Sequence, residues 1–426
     1  MPPAGAAPDL DALVETSAFA ASEPAREAAR RDIVSLARSH GVYPASIYGL
    51  YEAAGRGLYH GVSVPAINIR GITYRVARAV FRAALAINAG AFTFEIARSE
   101  IVYTGQRPAE YAASVLAAAL REGFRGPVFL QGDHYQVKPA DFRRDPRAEI
   151  DDIKALIKES IATGFYNIDI DASTLVDIYR PTLAEQQEDN AGVTAELTQF
   201  IRAGEPKGVS VSVGGEIGEI GRGNSTVADL DAFMDGYNGR LGKGVKGISK
   251  ISVQTGTTHG GVVLPDGSLA RVKIDFDTLR ELSRVAREVY GMGGAVQHGA
   301  STLPDAAFDM FPRVGAAEVH LATGFQNLIY DSPRFPADLG AAIRRYLFSH
   351  HSDERRPGET DEQFIYRTRK KAWGEFKAET WHLPEAGLGA IMEEMEGRFR
   401  LIFGKLNIAD TAALVARYVS APAAGG

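Results

Sequence analysis

AVQHGASTLPDAAFDMFPRVGAAEVHLATGF, running from Ala295 to Phe325, reads as strand, turn, helix, glycine, strand. The first strand ends in Gln297-His298-Gly299-Ala300-Ser301, the second in His320-Leu321-Ala322-Thr323-Gly324. Pro304 falls early in the intervening helix, where a missing N–H costs nothing, and Gly315 closes it. Two consecutive strands therefore deliver imidazoles, hydroxyls and free backbone amides to one edge of a parallel sheet. That edge is where ligands bind in parallel α/β folds.

The same unit recurs along the chain. A β-rich run is followed by a polar turn, an amphipathic helix and a glycine. The earlier runs are Val64–Ile69, Ala91–Ala97, Pro127–His134, Phe165–Ser173, Gly208–Gly218 and Lys250–Gly260; Ala295–Ser301 and Ala317–Thr323 complete eight. TYRVARAVFRAALAINAG, PAEYAASVLAAALREG, DIKALIKESIATG and DFDTLRELSRVAREVYG are among the helical patterns between them. Eight strand–helix units over residues 61–330 predict an α/β fold, a (β/α)8 TIM barrel. No GxGxxG follows the first run, which disfavours a dinucleotide-binding sheet. Residues 1–60 predict a helical N-terminal extension, and 331–426 a helical C-terminal extension that packs on the barrel or on a partner subunit. The long Gly-rich stretch Gly218–Ser249, with one short helix, has the character of an active-site lid.

Composition narrows the chemistry. The net charge is −6, and no basic stripe interleaved with aromatics appears, so nucleic acid is excluded as a partner. The chain has no cysteine, so any transition metal must be held by nitrogen and oxygen. The first residues lack a secretory pattern, and the most apolar run, around 80–94, is broken by Arg82 and Gly90. The expectation is a cytoplasmic protein without membrane spans.

His134, His259, His298 and His320 fall at the ends of the third, sixth, seventh and eighth runs, which a barrel gathers at one mouth. Three neutral imidazoles with an open position make a catalytic zinc site. The alternative for any one of them is a buried strand histidine bonded to backbone. Asp133 precedes His134; because the strand is ending there, both side chains can reach the mouth, and a carboxylate beside a metal serves as acid/base. Asp169 and Asp171 share a face, either at the mouth or as structural aspartates. Glu216 and Glu219 lie in a glycine-rich turn, Glu219 as base or as an exposed loop carboxylate. Gly260, Gly299, Ser301 and Thr323 supply amides and hydroxyls of the kind that hold phosphate.

This ordered set resembles the class II, metal-dependent ketose-bisphosphate aldolases. The pieces are PAINI, FLQGDH, IDAS, GEIG, GTTHGG, VKIDFDTL, VQHGAS with a following Pro-Asp, and GAAEVHLATGF, covering Val64 to Gln326. The resemblance implies Zn²⁺ on His134, His259 and His298, with Glu216 and Asp171 near or in a secondary metal position. It also implies a monovalent cation near the phosphate. It makes Asp133 the acid/base at the C4 hydroxyl, Asn68 a substrate-side asparagine, and Gly260, Gly299, Ser301 and Thr323 the phosphate cradle. The implied reaction cleaves a ketose (bis)phosphate, fructose 1,6-bisphosphate or a related sugar, into dihydroxyacetone phosphate and an aldehyde. The implied assembly is a homodimer or homotetramer. The chain departs from the family in several places. Val262, Val263 and Leu264 stand where the family often carries a lysine, and the long C-terminal extension is not the family's usual one. His320 replaces an asparagine, as hydrogen-bond donor or fourth ligand; Gly324 replaces an aspartate; and Glu219 is the nearest candidate for the second base. Two other readings stay open: a non-catalytic barrel subunit of a sugar-bisphosphate aldolase, and a zinc-dependent hydrolase. Against the latter, the first run has no histidine pair.

Overall fold

The computed structural model describes residues 9–218, 223–256, 264 and 274–421. Nine strands form one sheet: β1 (Val42–Ala45), β2 (Val64–Asn68), β3 (Thr93–Ala97), β4 (Gly126–Gln136), β5 (Asn167–Asp171), β6 (Ser212–Glu216), β7 (Lys250–Ser252), β8 (Ala295–Gln297) and β9 (Glu318–Leu321). All pairings are parallel. β2 to β9 follow one another in order, and β9 pairs with β2, so eight strands close a (β/α)8 TIM barrel. β1 is a ninth strand, added to the start of β4 where the N-terminal segment reads as helices alone. Its four residues, VYPA, are too few for a strand period to show.

The barrel's outer layer comes from the periodic segments. The helix Thr73–Ala86 buries Tyr74, Val76, Ala77, Val80 and Phe81 along one face. The stretch 218–249 holds a crossover helix, Val227–Arg240, capped by Thr226 and Asp229 in a capping box. In the opening stretch the helix is shorter than its pattern suggests. Asp305–Ala307 is a 3₁₀ turn, and only Met310–Val314 is α-helical, ended by Gly315 at φ +74°. Pro304 and Pro312 each remove a donor there. No helix among the described residues is long and apolar enough to cross a membrane.

Both terminal segments pack on the barrel. Tyr51, on the helix Tyr48–Gly55, is buried and donates its hydroxyl to Glu318 at the N-terminal end of β9. The C-terminal helix Glu385–Lys405 packs on Thr73–Ala86, with Phe399 against Phe325 and Phe403 against Phe92. Nearer the mouth, the Trp373 ring lies directly on Gly71, and Gly374 lies on the Tyr103 carbonyl. A Cβ at Gly71 would run into that ring. Gly71→Ala is expected to destabilise the fold by about 1–3 kcal/mol and to speed proteolysis within residues 361–381. A thermal melt and a timed digest of the full chain check both.

Candidate active site

The site begins with an irregularity in β4. Against β5, Gly132 pairs with Ile168 but Tyr135 pairs with Ile170, so β4 carries one extra residue. His134 takes the left-handed region there, φ +40°, a conformation that costs a non-glycine residue about 1–3 kcal/mol. This bulge lets Asp133 and His134, neighbours in sequence, both face the C-terminal mouth. Gly132 is required beside it, because a Cβ there would meet the Tyr135 ring.

Three imidazoles lie side by side across the mouth, their rings tilted against one another. The His298 ring lies 4.2 Å from that of His134 and 4.0 Å from that of His320, centroid to centroid. Asp133 Oδ1 sits among them, 3.2 Å from His320 Nδ1, 3.5 Å from His298 Nε2 and 3.7 Å from His134 Nε2. Burial acts to raise the Asp133 carboxyl, but the surrounding imidazoles outweigh it and hold it ionised, well below the usual carboxylate range. His134 Nδ1 is 3.1 Å from both Asp171 Oδ2 and Glu216 Oε2. Asp171 is saturated with donors, since Ser173 Oγ (2.7 Å), the Ser173 amide (3.1 Å) and Gln136 Nε2 (2.6 Å) also reach it. It therefore orients the His134 ring, as carboxylates behind ligating histidines do. Burial first, and the Asp171 charge second, push Glu216 up to about 7.

Ligand atoms of His134, Glu216 and His298 lie within 4.8 Å of one another, an all-nitrogen-and-oxygen set suited to a divalent ion. Asp133, His298 and His320 form a second such group. His259, Gly260 and Glu219 lie outside the described residues. Asn68, Gly299, Ser301 and Thr323 all line the same cavity, about 590 Å³ in volume. Asn68 Nδ2 donates to Glu100 Oε2 (2.6 Å), while Asn68 Oδ1 is buried with no hydrogen-bond partner among the described residues. Ser301 Oγ accepts from the Gly324 amide (3.0 Å), and a side chain at Gly324 would strike the Ser301 carbonyl. The close approach of these two loops accounts for glycine at that position.

The sequence of residues 51–378 matches the family model described as fructose-bisphosphate aldolase class-II. The chain belongs to the class II fructose-bisphosphate aldolase family. Family and barrel together make it an aldolase-type lyase. Among solved structures, the fructose-bisphosphate aldolase of Campylobacter jejuni is similar at 17% identity and a TM-score of 0.51, over 87% of this chain and 97% of that one. A probable tagatose 6 phosphate kinase from Sinorhizobium meliloti is similar at 17% identity and a TM-score of 0.56, over 84% and 99%. No curated protein matches the sequence.

Beneath the mouth, this aldolase-family barrel has a charged interior in which Glu95, Gln131, Lys250 and Glu318, none singled out from the sequence, join Asp169 and His320. Lys250, 1% exposed, reaches Asp169 Oδ2 (2.9 Å) and Gln131 Oε1 (2.8 Å) and pairs with Glu318. Glu318 also accepts from Gln131 Nε2 (2.7 Å) and from Tyr51. His320 Nε2 stands 2.6 Å from Glu318 Oε1, and His320 Nδ1 stands 3.0 Å from Glu95 Oε2. Burial first, and Asp133 second, push Glu95 up to about 7. His320 is thus held from below by Glu318 and Glu95 and from above by Asp133. The period of two held the clue: Glu318 and His320, Gln131 and Asp133, Asp169 and Asp171 each share a face.

Proposed function

We propose that the chain is a zinc-dependent aldolase that cleaves a ketose (bis)phosphate, fructose 1,6-bisphosphate or a related sugar, into dihydroxyacetone phosphate and an aldehyde. The observation that carries this reading is the Asp133 carboxylate set beside the His134, Glu216 and His298 donor group in one cavity. The donor chemistry fits zinc: imidazole and carboxylate, in a chain without cysteine. His134 and His298 would hold the ion together with His259, and Glu216 stands ready at the same place. When bound, Zn²⁺ supplies a Lewis acid for the sugar's C2 oxygen.

The chain's own residues do the rest. Asp133, ionised and fixed, takes the proton of the C4 hydroxyl as the C3–C4 bond breaks and returns it in condensation. His320 is held by Glu95 and Glu318 in one orientation, and through Nδ1 it fixes the Asp133 carboxylate beside it before the substrate binds. Asn68 Oδ1, without a partner among the described residues, accepts from a substrate hydroxyl. Glu219 is the second base, acting at C3. Gly260, Gly299, Ser301 and Thr323 hold the phosphate. Asp133→Asn is expected to keep its metal while kcat for cleavage falls by about 10²–10⁴-fold, the range for losing a positioned acid/base. Metal analysis and a cleavage assay over a panel of ketose mono- and bisphosphates test this. Near-normal turnover would remove Asp133 from the role.

A further inference from the structure

The cavity is lined by carboxylates and imidazoles, Asp133, Asp171 and Glu216 among them, and also by two cations, Arg70 and Lys370, with Thr323 beside Arg70. Arg70 comes from the loop after β2. Its Nε is bound to Glu100 Oε1 (2.7 Å), while Nη1 turns toward Thr323 Oγ1 and Gln326 Oε1, each at a long 3.4 Å. An arginine has five N–H donors, so this one keeps capacity for a further acceptor.

Lys370 comes from the C-terminal segment. Its neighbours are both committed: Arg369 binds Asp331 and Asn327, and Lys371 pairs with Glu354. Lys370, half-buried, makes no ion pair and donates no hydrogen bond among the described residues. Glu100, a nearby carboxylate, is already taken by Arg70, Asn68 and the Ala97 amide. Burial, and then the Arg70 charge, act to lower the ammonium's pKa, an unfavourable state that an anion would relieve. The location is fixed by docking: Trp373 lies on Gly71, next to Arg70, and its Nε1 donates to Gln326 Oε1 (3.2 Å).

We propose that Lys370 and Arg70 form the cationic wall of a phosphate subsite whose hydroxyl wall is Ser301 and Thr323. The C-terminal segment thereby contributes directly to substrate recognition. Two cations and two hydroxyls around one space suit the several oxygens of a phosphate monoester dianion. The choice of a sugar phosphate as the natural ligand rests on the function proposed above.

The test uses the metal-loaded full chain. Inorganic phosphate binding, followed by calorimetry, is expected to weaken by about 10–100-fold in Lys370→Met, the scale of a lost charge-assisted hydrogen bond. Lys370→Arg should recover most of it. KM for the phosphorylated ketose should rise similarly with kcat nearly unchanged, while the unphosphorylated sugar shows no difference between wild type and Lys370→Met. Unchanged phosphate affinity in Lys370→Met would overturn the proposal, as would an equal KM rise for the unphosphorylated sugar. Should no ketose phosphate be cleaved while phosphate binding still depends on Lys370, the aldolase reading fails and the subsite stands.

Discussion

His298→Ala should abolish cleavage and strip the purified protein of bound zinc while leaving it folded. The ring lies between those of His134 and His320 and within 3.5 Å of Asp133, so its removal opens the centre of the site. Under the proposed function it costs one of three imidazole ligands and disturbs the general base at once. The expected loss in kcat exceeds the roughly 10²–10³-fold typical of deleting a single transition-state donor. Asp171→Ala supplies the graded comparison. It leaves every imidazole in place but frees the His134 ring from its orienting carboxylate, so metal affinity and activity should fall only about 10–100-fold. Elemental analysis after gel filtration, a coupled cleavage assay and circular dichroism separate these outcomes. A His298→Ala protein that keeps a full equivalent of zinc and near-normal turnover would refute the zinc reading. The two variants falling equally would refute the division between ligand and orienting residue.

Much of the barrel is legible in the sequence because its strands are buried on both faces. They read as short apolar runs, most of them preceded by a glycine that ends the preceding helix or loop, as at Gly164, Gly294 and Gly315. That Asp133 and His134 both reach the mouth is legible too, since a strand that is ending can turn both neighbours one way. The bulge that turns them is not, because a single extra residue leaves no mark in a pattern of period two. β1 escapes for a related reason: four residues bounded by Gly41 and a helix carry too little period. The charged interior escapes differently. Glu95, Gln131, Lys250 and Glu318 come from four separate strand runs, and each finds its partners on other strands of the barrel, far away in sequence. Only closure of the sheet makes them one cluster. Lys370 is hidden more deeply, because its place depends on Trp373 docking against a loop some 300 residues earlier in the chain.

That buried cluster carries the largest expected effect on stability. Lys250→Met should lower the unfolding free energy by about 3–5 kcal/mol, because removing one partner of a buried pair leaves its carboxylates uncompensated. Here two carboxylates depend on it. Asp169 and Glu318 are both buried, and the lysine also holds Gln131. Burial acts to lower the pKa of this ammonium; the two carboxylates outweigh it and keep it charged. A domain is commonly stable by only about 5–15 kcal/mol, so the variant stands near its threshold. The size of the loss does not mean that the intact cluster is a net stabiliser. A barrel filled with aliphatic side chains would fold as well or better, because desolvating several charges costs more than their pairing returns. The double variant Lys250→Met/Glu318→Gln separates the two ideas. If the cost in Lys250→Met is the unpaired charge, neutralising Glu318 should return part of it, giving a coupling energy of about 0.5–3 kcal/mol in a urea-denaturation cycle. Simple additivity would assign the loss to packing instead. Activity should not return with stability. Glu318 also stands against His320 Nε2, and without its charge the imidazole loses the support that fixes it below Asp133. A stable but slow double variant would therefore identify the charged floor as a device for aiming His320, kept at a cost in stability because the chemistry above it needs one fixed ring.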